Sequence, residues 1–193
     1  MKLLKICSLF LMLGAFLTVT AQEAPAPVKT DFYPLTKNAV WIYKTKGVTV
    51  KMKVGNSSPE GTKIETLVND KSISTEVIQV KKDGIYRVAI ADIKPSKPVL
   101  LLKLPPKSGD SWEVDTKLKE QPIKCKFEVK EEKVTVPAGS YVSYVVQGKN
   151  IDINGMSAGI TTWYVEKIGI VKILLDFGGE KSQLELEKFE PGN

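Results

Sequence analysis

The sequence predicts an all-β domain of about ten or eleven mostly antiparallel strands, a meander that coils into a barrel, part-barrel or sandwich. Three observations predict it. From Asp31 to Phe189 no long window carries the helical apolar period. Short runs rich in Val, Ile, Thr and aromatics occur instead, with Gly, Pro, Asn or Asp interrupting them roughly every eight to twelve residues. A meander of that length cannot stay flat, because each strand twists against its neighbour.

Along the chain, the first segment is an export signal. Lys2 and Lys5 precede an apolar run from Ile6 to Leu17, and Val19-Thr20-Ala21 supplies the small residues of a cleavage site. Residues 1–21 are therefore expected to be removed, leaving no transmembrane anchor and a periplasmic or secreted protein. Cys7 lies at the start of the apolar run rather than behind it, which argues against lipidation. Of the 193 residues 172 remain; Lys2 and Lys5 leave with the signal and the net charge falls from +6 to +4. Gln22–Thr30 is a Pro/Ala spacer with little to bury, read as disordered, and residues 31–190 form one β domain.

Ala39–Lys46, Val48–Val54 and Lys63–Val68 open the strand series. At Lys82-Asp83-Gly84 a three-residue loop is expected, pairing Val80 with Tyr86, Ile78 with Val88 and Gln79 with Arg87. Pro95, Pro98, Pro105 and Pro106 bracket Val99–Leu104 and mark it as a short or edge strand. Ser111–Leu118, Ile123–Glu131 and a short Lys133–Val136 follow. Pro137-Ala138-Gly139 reads as a turn. Asn154-Gly155 is a type I′ hairpin signal joining Tyr141–Ile153 to Met156–Glu166, with Val146 opposite Trp163. In the last hairpin, Gly178-Gly179 sets Ile173 against Leu184, Val171 against Leu186, Lys172 against Glu185 and Asp176 against Lys181. One face of that hairpin is then apolar and the other carries opposed charges.

Composition removes most familiar chemistry. The chain has no histidine, which excludes His-dependent triads and His-based metal sites. Cys125 is left without an intramolecular partner once the signal is gone, and it shares a strand face with Phe127, which predicts burial. Asn150–Gly155 resembles the front half of a calcium loop, but Thr161 stands where a bidentate Glu is needed. Asp110, Glu113 and Asp115 flank Trp112, and strand alternation puts Glu113 and Asp115 on a solvated face. Arg87 is the one arginine among 28 basic residues, and the lysines are interspersed with acids. A nucleic-acid partner is therefore not expected. No catalytic, cofactor or metal residue is nominated.

The aromatics remain as candidates. Phe32, Tyr33, Trp41, Tyr43, Trp112, Tyr141, Tyr144, Trp163 and Tyr164 recur at strand starts and ends, either filling the core or lining a concave pocket for a hydrophobic ligand, and Trp41, Tyr43, Trp112, Tyr144 and Trp163 are singled out among them.

Several of these residues also form an ordered pattern. Tyr33-Pro34-Leu35 precedes Trp41-x-Tyr43, followed by Gly109-Asp110-Ser111-Trp112, Val134–Tyr141, and Trp163-Tyr164 ahead of Gly169-Ile170-Val171-Lys172. The pattern resembles an uncharacterised family of exported bacterial β-proteins, DUF3108-like or TapB-like, over most of Phe32–Lys188. That resemblance implies an unclosed β-barrel similar to those of the periplasmic lipoprotein carrier and receptor, with a hydrophobic concave face. This chain departs from those carriers in lacking a lid helix and a lipobox. The expected function is a non-enzymatic exported domain, without cofactor, that binds a hydrophobic small molecule or an envelope component. The alternative is a structural module that docks an envelope protein through sheet edges or loops.

Overall fold

The computed structural model describes the backbone of residues 28–153 and 156–193. The expected export signal, most of the Pro/Ala spacer and the expected Asn154-Gly155 turn lie outside the described residues. Twelve strands follow one another: β1 Val40–Thr45, β2 Val48–Ser58, β3 Gly61–Val68, β4 Lys71–Lys81, β5 Gly84–Ile90, β6 Val99–Lys103, β7 Ser111–Leu118, β8 Gln121–Val136, β9 Gly139–Ile153, β10 Met156–Val165, β11 Gly169–Phe177 and β12 Glu180–Glu190. The described residues contain no helix.

Each strand is antiparallel to its sequence neighbour, with one exception, and β1 pairs β12. The exception is β6 and β7, which form the two edges of a single twelve-stranded sheet. The result is a nearly closed barrel with one unsealed seam. The proline-bracketed strand is thus an edge, as its sequence indicates.

The last hairpin has the register read from its sequence, with Lys172 opposite Glu185, Ile173 opposite Leu184 and Asp176 opposite Lys181. Gly178 and Gly179 take φ of 60° and 93°, the positive values that a two-residue primed turn requires. Lys172 Nζ donates to Glu185 Oε1 at 2.7 Å on the charged face.

Three sequence readings are corrected. The β4–β5 connection is a two-residue turn, pairing Lys81 with Gly84, Gln79 with Tyr86 and Ile78 with Arg87. A bulge between Val77 and Ile78 then shifts the register by one. Gly84 is not a turn residue. Its backbone lies against β6, where an added Cβ would stand 2.5 Å from Leu100 Cδ1 and 2.8 Å from the Leu102 carbonyl oxygen.

The second correction concerns Trp163, which lies opposite Val145, while Val146 faces Thr162. The pairing of Met156 with Ile153 and Ala158 with Ile151 fits the two-residue connection, but a bulge before Ile160 displaces the rest. Third, Ile123–Glu131 and Lys133–Val136 are one strand. The β8–β9 ladder runs unbroken from Lys126–Lys149 to Val136–Gly139. Its buried face changes, from Cys125, Phe127 and Val129 to Val134 and Val136. At its tip Ala138 N–H donates to the Leu186 carbonyl at 2.9 Å, so the end of the hairpin rests on β12. That change of covering partner is what resembles a strand break in the sequence.

One end of the barrel is filled. Tyr33, Trp41 and Tyr43 are fully buried there. Trp41 Nε1–H donates to the Ile168 carbonyl at 2.6 Å, and Tyr43 O–H to the Ile170 carbonyl at 2.8 Å. The Trp41 ring packs on Tyr33 and Phe189, with both centroids 5.2 Å away. The chain before β1 is anchored to the β10–β11 turn by Lys167 N–H donating to the Asp31 carbonyl at 2.7 Å.

Candidate functional site

Above the filled end, the barrel interior holds a cavity of about 280 Å³. Its walls come from every strand from β4 to β11, with Met52 added from β2. This is the consequence of strand alternation: inward residues such as Val114, Phe127, Val146, Ile160 and Ile173 meet around one axis. Pro95, Leu118, Ile123, Leu175 and Phe177 line it beside the β5–β6, β7–β8 and β11–β12 connections, which lie at the same end. Phe177 is 49% exposed and marks the rim.

The deep end is polar. Glu76 on β4 and Arg87 on β5 both line the cavity, and Arg87 Nε–H donates to Glu76 Oε2 at 2.6 Å. Glu76 is opposite Ile64 and Ile90, and Arg87 opposite Ile78, so the pair sits among inward apolar side chains. The Glu76 carboxylate holds the guanidinium in its charged form against the cost of burial. Tyr33 and Tyr164 complete this floor. Burial pushes both phenols up, and the Glu76 charge adds to the effect. The Tyr33 hydroxyl is buried without a hydrogen-bond partner. Leaving such a group unpaired costs about 1–3 kcal/mol.

Cys125 is buried and faces the same cavity. Burial pushes its thiol up to about 11, so it is protonated at neutral pH. The expected burial of this residue is observed.

The five aromatic candidates are not among the cavity-lining residues. Trp41 and Tyr43 belong to the filled end. Trp112 spans the seam: its ring stacks on Phe127 at 5.5 Å and its Nε1–H donates to the Leu100 carbonyl on β6 at 3.1 Å. Tyr144 is half-buried and meets Phe32 edge-on at 5.6 Å. Trp163 alternates with the cavity residues Thr162 and Tyr164 and so points to the outer face, where Nε1–H donates to Glu132 Oε1 at 2.8 Å. The Lys172 ammonium lies 5.6 Å from its ring centre.

Sequence reasoning missed Glu76 and Arg87, whereas Tyr33 and Tyr164 were among its aromatic candidates and do line the cavity. One signal was present: Arg87 is in phase with Ile85 and Ala89 on its strand, a charge on an apolar face. The three-residue loop reading concealed it by setting Arg87 against Gln79.

The seam is held mainly by side chains where a ladder would otherwise run. Lys97 N–H donates to Thr116 Oγ1 at 3.0 Å, and Thr116 Oγ1 donates to the Lys97 carbonyl at 2.9 Å. Lys117 N–H donates to Ser96 Oγ at 2.9 Å, and Ser96 N–H to the Lys117 carbonyl at 2.9 Å. Val99 and Leu101 on one side, and Val114 and Thr116 on the other, are cavity walls. The seam therefore runs along the cavity wall.

Two solved structures share this fold. One, described as a "putative lipoprotein" from Parabacteroides distasonis, has a TM-score of 0.52 at 14% identity, covering 84% of this chain and all of that one. The other, described as a "putative exported protein with YmcC-like fold" from Bacteroides fragilis, has a TM-score of 0.51 at 15% identity, with the same coverage. No protein-family model matches the chain. No curated protein sequence matches it either.

Proposed function

We propose that this chain is an exported, non-enzymatic β-barrel that binds a hydrophobic small molecule in its interior. The observation that carries the reading is the cavity: an apolar-walled space of about 280 Å³ in a barrel filled at one end only. Ligand sites are typically concave, mostly apolar and furnished with a few placed polar groups, at volumes of about 300–1,000 Å³. This cavity is near the small end of that range. Export is supported by the signal pattern at residues 1–21 and by the descriptions of the two fold neighbours. The ordered motifs from Tyr33 to Lys172 support the DUF3108-like or TapB-like resemblance, and a barrel with an unsealed seam accords with the fold it implies.

Docking of an envelope protein is the second reading, and a contiguous exposed apolar patch would favour it. Among the described residues, Val28 precedes β1, and the other exposed large apolar residues, Ile73, Val142 and Phe177, are on β4, β9 and β11, strands that are not neighbours in the sheet. Native mass spectrometry of the protein purified from its own host tests the first reading. The expected result is an added mass of a small molecule that dissociates on denaturation. Bare protein, together with no uptake of a hydrocarbon fluorophore, would overturn it.

A further inference from the structure

The floor of the cavity specifies the head group of its ligand. Glu76 and Arg87 are the only charged side chains among the cavity-lining residues described, and they neutralise each other. A guanidinium carries five N–H donors. Arg87 gives Nε–H to Glu76, and its terminal nitrogens have no hydrogen-bond partner among the described residues. The side chain is nevertheless 30% exposed, which beside this cavity means accessible from within it. Tyr33, 1% exposed, adds a second unpartnered polar group at the same floor. Four guanidinium N–H donors and the Tyr33 hydroxyl are thus left over at the floor.

Two ligand chemistries could use them. A carboxylate would accept from Arg87, but Glu76 already cancels the arginine charge, so the added anion would be buried without compensation. An uncharged carbonyl accepts the same hydrogen bonds and brings no charge. The walls above the floor are aliphatic and aromatic, and the mouth lies at the opposite end. We infer that the cavity selects an uncharged single-chain amphiphile, bound head-down, whose carbonyl oxygen accepts from Arg87 and Tyr33 while its alkyl chain runs toward Phe177. This rests on the ligand-binding reading above and adds the ligand class and orientation.

The test uses the chain without residues 1–21, loaded with diphenylhexatriene, a hydrocarbon probe that reports the walls alone. Methyl dodecanoate and dodecanoate compete at pH 8, below the concentration at which either aggregates. The ester is expected to displace the probe at about tenfold lower concentration, a difference of ~1.4 kcal/mol. Glu76→Gln leaves Arg87 uncompensated, and the order should reverse in favour of dodecanoate. Tyr33→Phe removes a hydroxyl that has no partner in the protein, so it should fold as well as the parent. It should weaken the ester about fivefold while leaving diphenylhexatriene affinity unchanged. Circular dichroism melts establish that each variant is folded. If the probe binds but the two competitors are equal, or the acid is preferred in the parent, the head-group inference fails and the binding reading stands. If Glu76→Gln does not fold, an unchanged ester affinity in Tyr33→Phe still overturns the inference. If neither probe nor competitor binds, the binding reading itself has failed.

Discussion

The barrel is closed at two junctions, and they are made differently. At β1–β12 the ends of the domain meet in a backbone ladder from Val40–Glu190 to Lys44–Glu185, broken only by a bulge after Ile42. At β6–β7 two strands adjacent in sequence stand side by side without a ladder, joined by the isolated Pro95–Leu118 bridge, by Ser96 and Thr116 hydroxyls and by the Trp112 indole. Chain proximity therefore does not decide which edges pair. The β6 edge is five residues long and follows Pro95 and Pro98, neither of which can donate to a ladder. The β1–β12 junction has the aromatic filling of Trp41, Tyr43 and Phe189 beside it, whereas the seam has the cavity behind it. One junction is built to stay shut. The other is held mostly by side-chain bonds that can be broken one at a time.

Substitution of the two tryptophans separates the junctions most strongly. Trp41→Ala removes a fully buried indole and leaves the Ile168 carbonyl unpaired, so a loss of ~3–5 kcal/mol is expected. Trp112→Ala removes a half-buried ring and one bond across the seam, and should cost about 2 kcal/mol. Urea denaturation of both variants measures this. Equal losses would mean that the seam is as firmly built as the ladder.

A smaller change probes the seam alone. Thr116→Val keeps the shape but leaves the Lys97 N–H without its acceptor, at an expected cost of ~1–2 kcal/mol. Amides of β6 and β7 should then exchange with solvent sooner than those of β1 and β12. Thr162→Val is the matched control, because Thr162 lies on the cavity wall in a laddered strand and its hydroxyl has no partner among the described residues. It should cost about 0.5 kcal/mol or less. Uniform exchange across all four strands in Thr116→Val would contradict the assignment of the seam as the weak junction.

These contrasts also show what the sequence carries. Strand order, the edge position of Val99–Lys103 and the last hairpin were legible, because periodicity, proline and a Gly-Gly turn act locally. The registers of β4–β5 and β9–β10 were not, because bulges at Val77/Ile78 and before Ile160 change the count of residues without a sequence signal of their own. The site suffered most from this. A one-residue slip at β5 moves Arg87 from the cavity to solvent, and with it the reason to look at Glu76. The choice between a filled and an open interior depends on how twelve strands coil, which no local window contains. Of the aromatics read as pocket candidates, Tyr33 and Tyr164 line the cavity floor, whereas Trp41 and Tyr43 went to the filled end, Trp112 to the seam and Trp163 to the outer face.

The smallest expected effect uses Cys125 as a reporter between the junctions. It lies on β8 opposite Val114 of the seam strand β7 and lines the cavity. With the thiol pushed up to about 11 by burial, its reaction with iodoacetamide at pH 8 should be about a hundredfold slower than that of a free cysteine. Because the folded thiol binds its proton more tightly than the unfolded one, its contribution to stability is full below about pH 8.5 and declines as pH rises toward 11. Cys125→Ala should remove that part of the alkaline decline in the urea midpoint. Labelling should quicken in Thr116→Val and Trp112→Ala, where the seam is loosened next to β8. In Trp41→Ala, assayed in enough stabilising osmolyte to restore its urea midpoint, labelling should stay at the parent rate. Faster labelling there, with no change in the seam variants, would place the route to the cavity at the filled end and reverse the comparison.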